Sequence, residues 1–146
     1  MSGYRENREA AAIAVELIPR HHEHLEKAKL LYLFTEGPMR RHARPLAGKA
    51  LKASGLLKHF GKADFILVFH KETWDHLTDA QRTALVDHEL CHAAVKHTKA
   101  GEPRWFIQGH DLEEFRAVVE RHGLWQPDVA DFGRTIQELL PLQARA

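Results

Sequence analysis

Two histidines and a glutamate lie close together in the stretch DHELCHAAVKH, residues 87–97. His88 and His92 are four residues apart, and Glu89 directly follows the first of them. Side chains four residues apart stack on one face of a helix, so the two imidazoles can bind a single divalent ion. Glu89 would project about 100° around the helix from His88, where its carboxylate reaches a water on that ion rather than the ion itself. The pattern predicts a metal site with its own general base.

The five-residue pattern is weak evidence alone, because the chain has 12 histidines in 146 residues. Composition by itself would give such a match in about one chain of this kind in ten. The surroundings favour a metal, since most residues from Ala84 to Val95 are apolar and predict a helix buried on most sides. Two imidazoles and a carboxylate are costly to bury without partners. We expect Zn²⁺ to be that partner.

The helix that carries these residues has a clear start. Thr78 and Gln81 form a capping box, and the helical pattern then runs to about His97. On that helix Cys91 points away from the metal face and is expected to be a small buried hydrophobe. His97 is expected to be a cation at the C-terminal end of the helix.

The neighbouring elements follow from hydrophobic patterning. Residues 28–35 (AKLLYLFT) and 63–70 (ADFILVFH) predict strands, the second of them buried. Helices are predicted in ENREAAAIAVELI before Pro19, in GHDLEEFRAVVERHG (residues 109–123) and in VADFGRTIQELLPL, and a short one around GKALKASGLLKHF. The histidines of HHEH, residues 21–24, are interpreted as a polar connection between elements. The apolar stripe of the last helix is expected to pack on the core, through Val129, Phe132, Ile136, Leu139 and Leu140.

A catalytic zinc takes three protein ligands and keeps one position open. Val95 and Thr98 occupy the places where the extended H-E-x-x-H-x-x-G-x-x-H pattern needs Gly and His, so the third ligand must come from farther along. Asp111, with Glu114 three residues on, predicts a capped helix start. This start places His110 just before the first turn of a helix that can fold back across the metal-binding one. His110 is therefore one candidate, Glu113 or Glu114 would be the other common solution, and His122 and the upstream histidines stay open.

These residues carry a resemblance to known families. HELCH followed by GHDLEEF resembles the SprT-like and WLM metallopeptidases, in which a third histidine opens a second helix. Phe115 lies five residues after His110, where those families usually have four. A closer similarity, over roughly residues 9–125, is to the putative phage metallopeptidase family. It rests on the stretches DFILVFHKETWDHLTDAQRTALVDHELCH and HDLEEFRAVVERHGLW.

The resemblance implies a zincin-like α+β fold, in which a short mixed or antiparallel sheet packs on the metal-binding helix. It also implies a zinc metallopeptidase, with His88, His92 and His110 on the metal and Glu89 as general base, acting on a protein or peptide. In that architecture an edge strand, here 28–35 or 63–70, receives the substrate in extended form. Asp87 or Asp111 could orient a ligand imidazole.

Length and composition suit one soluble domain over residues 1–146. A polar N-terminus, short apolar runs and a single cysteine predict a cytoplasmic protein with no membrane contact, in the host cell if a phage encodes it.

The net charge of +1 is unevenly distributed. The segment Met39–Lys62 has seven basic residues and no acidic one: Arg40, Arg41, Arg44, Lys49, Lys52, Lys58 and Lys62. A solvated face, or a partner for the acidic remainder, is the simpler interpretation. Weak nucleic-acid contact is the alternative. It would suit a zinc hydrolase that acts on nucleic acid or on DNA-bound protein, and a non-catalytic zinc-binding relative is a third interpretation.

Overall fold

The structure is a computed structural model that describes residues 3–143, with side chains described as far as residue 140. The chain forms two compact units, Met1–Gln108 and Gly109–Ala146. The single domain expected over residues 1–146 stays a prediction. The elements confirm a mixed α+β composition with small sheets.

A four-stranded sheet is the centre of the first unit. Its strands are β1 (Tyr4–Glu6), β2 (Leu30–Thr35), β5 (Gly48–Lys52) and β6 (Phe65–His70), in the order β1-β2-β6-β5. The central strands β2 and β6 run parallel, and each outer strand is antiparallel to its neighbour. Both predicted strands are therefore confirmed as elements. Since both lie inside the sheet, neither is the edge strand that we expected to receive substrate.

The first unit also contains helices and two hairpins. The helices are α1 (Arg8–His21), α2 (Leu56–His59), α3 (Lys71–His76) and α4 (Asp79–His92), and a 3-10 turn spans Glu23–Leu25. The hairpins pair β3 (Arg40–Arg41) with β4 (Arg44–Pro45), and β7 (Ala93–His97) with β8 (Pro103–Ile107). The short helix expected around residues 48–60 is only partly correct. Its first half forms β5 because Gly48–Lys52 pairs with residues 65–69 of β6, and only Leu56–His59 is helical.

Helices α1 and α4 share one core with the central strands. The buried side chains of this core include Ala10 and Ala14 from α1, Val86 and Leu90 from α4, Phe65, Leu67 and Phe69 from β6, and Trp74. The small side chains of Ala10 and Ala14 allow α1 to approach its neighbours closely. Asn7 caps α1 by accepting a hydrogen bond from the Ala10 amide at 2.9 Å. The core fixes α4 through Val86 and Leu90, which lie on either side of His88 and Glu89 in the sequence.

Helix α4 begins as predicted and ends earlier. The capping box of Thr78 and Gln81 is formed in both directions. The helix ends at His92, and the chain enters β7 directly, so the expected continuation to His97 is wrong. His97 lies in β7 and cannot be a helix C-terminal cation. The cause is tertiary, because residues 93–97 pair with β8 from Ala93 opposite Ile107 to His97 opposite Pro103.

The expected burial of α4 on most sides is also wrong. Val86, Glu89 and Leu90 are buried, whereas Ala84, His88 and Cys91 are exposed. Cys91 is therefore not a buried hydrophobe. The apolar residues of 84–95 do not form one helical surface, since Ala93 and Ala94 are buried as part of β7.

The second unit contains α5 (Arg116–His122) and α6 (Pro127–Gln143). The helix expected over 109–123 starts at Arg116, so Asp111 and Glu114 do not cap it. Instead, Glu114 accepts hydrogen bonds from the Phe115 amide at 2.8 Å and the Trp125 indole at 3.2 Å. Gly123 ends the helix with φ of 71°, which favours glycine.

The final helix is confirmed, but most of its predicted core stripe is not buried. Val129 is buried. Four apolar side chains are 43–54% exposed: Phe132, Ile136, Leu139 and Leu140. A unit of this size has little interior in which to bury a long stripe.

No helix in the described part of the chain is long and apolar enough to cross a membrane.

Candidate metal centre

The predicted metal-binding pair lies in the last turns of α4. The ring centroids of His88 and His92 are 5.2 Å apart and the two rings meet edge to face. Both side chains project from the same side of the helix because they are four residues apart. His88 is exposed and His92 is partly buried, so an ion bound between them would have access to solvent. The structure brings together the two residues that the sequence most clearly predicted as metal ligands.

Glu89 is the buried member of this group. Its residue is only 3% exposed, and its Oε2 atom has no hydrogen-bond partner among the described residues. Its other carboxylate oxygen, Oε1, lies 4.0 Å from His88 Nε2. Burial raises the pKa of Glu89 to about 7, and the charges of His92 and Arg41 partly oppose that rise. A buried carboxyl with an unsatisfied oxygen beside two imidazoles is typical of a group that exchanges protons.

Gln108 fixes the orientation of His92. The Nδ1 atom of His92 lies 2.7 Å from the Gln108 carbonyl oxygen, and because a carbonyl only accepts, Nδ1 must donate. The remaining nitrogen, Nε2, then carries the lone pair that a metal needs. Gln108 also donates from its amide nitrogen to the His92 carbonyl at 2.9 Å, and from its side chain to the Cys91 carbonyl at 2.5 Å. No sequence signal indicated this residue, because the ring donates its hydrogen bond to a main-chain carbonyl, a group that every residue has.

Strand β5 lies against Glu89. A Cβ atom added at Gly48 would meet the Glu89 Cγ at 3.4 Å, the Phe69 ring at 3.3 Å and the Val68 carbonyl at 3.3 Å. Gly48 therefore leaves the space that the Glu89 side chain fills. Among the described strands, β5 is an edge of the main sheet and pairs only with β6. This edge strand next to the candidate base went unrecognised in the sequence because its alanine, leucine and lysines are good helix formers.

Asp87 does not orient a metal-ligand histidine through its Oδ1 atom. That oxygen is 2.6 Å from Nε2 of His22, which is buried at the end of α1. The neighbouring His24 places Nε2 2.7 Å from the Ala93 carbonyl. The HHEH stretch therefore is a connection, as expected, but its histidines attach that connection to α4 and β7. The composition of the stretch gave no indication of these partners.

His110 lies on an exposed segment without regular structure that opens the second unit. The residues that follow it as far as Phe115 are also outside α5. The helix start that was expected to present His110 is therefore absent from this position. Its role as a ligand stays a prediction, as do the roles considered for Glu113, Glu114, Asp111 and His122.

The chain was compared with known proteins. A family model described as putative phage metallopeptidase matches residues 2–137. The chain belongs to this family. Membership implies a peptidase that uses a metal ion and acts on protein. Neither a curated protein nor a solved structure matches the chain significantly.

The residues at the centre suit the metal that this family requires. Two imidazoles converge, one of them with its tautomer fixed by a hydrogen bond from Nδ1. Next to them the buried Glu89 Oε2 still needs a hydrogen-bonding partner. Imidazole is the commonest metal-binding side chain and binds zinc well.

Proposed function

We propose that this phage metallopeptidase is a zinc-dependent endopeptidase of zincin-like architecture, with Glu89 as its general base. The observation that supports this most strongly is the burial of Glu89 beside His88 and His92, with Oε2 unsatisfied and its pKa raised to about 7. A general base works best when its pKa lies near the operating pH. The exposure of His88 leaves the centre accessible to a substrate.

His88 and His92 would hold the metal, and we assign His110 as the third ligand. Chain length supports this assignment. Gln108 is fixed beside His92 by three hydrogen bonds, and two extended residues span at most about 7 Å. The Cα atom of His110 therefore lies within about 7 Å of the Cα atom of Gln108, which itself contacts His92. Glu114 is a weaker candidate, since both of its carboxylate oxygens accept hydrogen bonds within the second unit.

Zinc bound there would supply a Lewis acid that polarises the peptide carbonyl and activates water. Glu89 takes a proton from the attacking water at Oε2 and delivers it to the leaving amine as the peptide C–N bond breaks. Gln108 keeps His92 in the tautomer that presents Nε2. Strand β5 aligns the substrate by main-chain pairing along its open edge, which extends next to Glu89 from Gly48.

The test is zinc content and peptide-library digestion of the wild type beside Glu89→Gln. The variant keeps the size and shape of the side chain and removes the base, so zinc is retained and hydrolysis falls by at least about 100-fold. Glu120→Gln, an exposed glutamate of α5, is the matched control and keeps full activity. Full activity in Glu89→Gln would remove Glu89 from the mechanism, and a metal-free wild type would end the zinc proposal.

A peptidase directed at DNA-bound proteins is the second candidate. Six of the seven basic residues of 39–62 are exposed, and among the described residues none of the seven forms an ion pair with an acidic side chain. Arg40→Gln with Arg44→Gln tests this idea while keeping Arg41, whose charge acts on Glu89. Salt-dependent DNA binding that weakens in this variant supports this candidate. Equal binding by both proteins contradicts it.

A non-catalytic zinc-binding relative is the remaining alternative. Its zinc would have four protein ligands and no exchangeable water. The exposure of His88 argues for an open site.

A further inference from the structure

A second group of potential ligands lies on another side of α4. His22, at the end of α1, is 5% exposed, and its Nε2 is 2.6 Å from Asp87 Oδ1. Cys91 follows Asp87 by one helical turn and is exposed. A nitrogen of His22, a carboxylate oxygen of Asp87 and the sulfur of Cys91 all lie within 4.8 Å of one another. All three residues belong to the first unit.

This group is separate from the candidate metal centre. Asp87 and Cys91 each precede a predicted metal ligand by one residue, which places their side chains about 100° around the helix from His88 and His92. Helix α4 therefore presents two ligand pairs with the same four-residue spacing. His22, a buried polar side chain from another element, lies next to the pair formed by Asp87 and Cys91.

The chemistry of the donors indicates the type of ion. An imidazole nitrogen, a thiolate and a carboxylate oxygen are the three kinds of ligand that Zn²⁺ takes in proteins. The thiolate disfavours Mg²⁺ and Ca²⁺, which prefer oxygen ligands. We propose that His22, Asp87 and Cys91 form a second site for a thiophilic divalent cation such as Zn²⁺, which links the end of α1 to α4.

The geometry needs only a small adjustment to receive the ion. Bonds of about 2.0–2.3 Å in a tetrahedral arrangement separate neighbouring donor atoms by roughly 3.3–3.6 Å. The His22–Asp87 contact of 2.6 Å is shorter than this separation. The upper limit of 4.8 Å on the distance between any two of the three donor atoms is longer. Binding displaces the proton between His22 and Asp87 and the proton of the Cys91 thiol, so both protons pass to solvent. The exposed side of Cys91 admits water as the fourth ligand.

The alternative is that His22 and Asp87 form only a structural hydrogen bond. It would hold α4 against the end of α1 without any ion, and Cys91 would be a neighbouring thiol. The two interpretations differ in whether the sulfur binds metal. Since Cys91 is exposed, its replacement by serine should leave the fold intact.

The test uses the full chain with His88→Ala and His92→Ala, which removes the first centre and leaves the second. We expect this variant to bind one equivalent of Co²⁺ and to show a near-ultraviolet thiolate-to-cobalt charge-transfer band. Adding Cys91→Ser should abolish both, while circular dichroism confirms that the protein is folded. Absence of the band before serine is introduced, or one equivalent of Co²⁺ retained after it, overturns the proposal.

A second measurement on the same double variant follows alkylation of Cys91. Zn²⁺ should slow the reaction by at least about tenfold, because a metal-bound thiolate is a poor nucleophile, and Mg²⁺ should not. Adding Asp87→Asn should remove this protection. Equal rates with and without Zn²⁺ would contradict the second site. Since neither experiment measures peptide hydrolysis, failure of the second site and failure of the proposed peptidase activity are distinguishable.

Discussion

His92 donates a hydrogen bond from Nδ1 to the main-chain carbonyl of Gln108 at 2.7 Å. The two residues are 16 positions apart and are brought together by the β7–β8 hairpin. The Gln108 side chain strengthens this connection by donating to the Cys91 carbonyl near the end of α4. The hairpin therefore stabilises the orientation of a predicted metal ligand.

Gln108→Ala should weaken zinc binding by about tenfold, at the lower end of what outer contacts around a metal contribute. The main-chain carbonyl remains, but the side chain no longer ties it to α4. Competition with a chromogenic chelator measures the change. Gln137→Ala, at an exposed position of α6, is the control, and an equal loss of affinity in both variants would contradict a specific role for Gln108.

His110→Ala should reduce zinc affinity far more than Glu113→Gln or Glu114→Gln, by at least about 100-fold, because a lost ligand costs more than a lost outer contact. Equilibrium dialysis against buffered zinc measures all three variants. Glu114→Gln should instead weaken the hydrogen bond to the Trp125 indole and change tryptophan fluorescence. Metal loss only in a glutamate variant would make that glutamate the third ligand.

The metal-free protein should become less stable as the pH rises. Burial raises the pKa of Glu89 from 4.5 to about 7, so the folded state favours the neutral acid. The associated stability is fully present below about pH 4.5 and is lost as the pH rises through about 7. At roughly 1.4 kcal/mol per pH unit, it amounts to about 3 kcal/mol.

Urea unfolding of the chelator-treated protein between pH 5 and pH 8 measures this effect. Glu89→Gln cannot ionise, so its free energy of unfolding should not show this fall between pH 5 and pH 8 and should exceed that of the wild type at pH 8. Excess zinc should reduce the difference, since a bound cation favours the ionised carboxylate. Free energies of unfolding that change equally with pH in the two metal-free proteins would refute the raised pKa of Glu89.

Gly48→Ala should lower activity more than it lowers zinc content. The added methyl group would lie 3.3 Å from both the Val68 carbonyl oxygen and the Phe69 ring, and 3.4 Å from the Glu89 Cγ, so we expect β5 to shift relative to Glu89. Overpacking of this kind costs about 1–3 kcal/mol in stability. Thermal unfolding, zinc content and kcat together measure the effect. Gly3→Ala, where a Cβ meets nothing within 4 Å, is the control, and unchanged kcat in Gly48→Ala would contradict close packing of β5 on the base.

Local sequence signals predicted those parts of the fold that local chemistry determines. Thr78 and Gln81 indicated the start of α4, and the apolar runs indicated β2 and β6. The i, i+4 spacing brought His88 and His92 together. These features depend on neighbours in the sequence.

The failures arise where distant pairing determines the structure. Nothing in Ala93–His97 stops a helix, and the stop comes from pairing with β8. Residues 48–52 have helix-forming side chains, yet β6 pairs with them as a strand. Cys91 was expected to be buried because its neighbours are apolar, but those neighbours divide between α4 and β7. The contribution of Gln108 could not be predicted because any residue has a carbonyl.

The hairpin contact also sets an order of events during synthesis. While the chain emerges from the ribosome, His88, Glu89 and His92 appear before Gln108, and the imidazole of His92 is not yet held in one tautomer. Translation must pass β8, and the hairpin must close, before the three groups adopt their final arrangement. We therefore expect a nascent chain to bind metal less tightly until β8 has been synthesised.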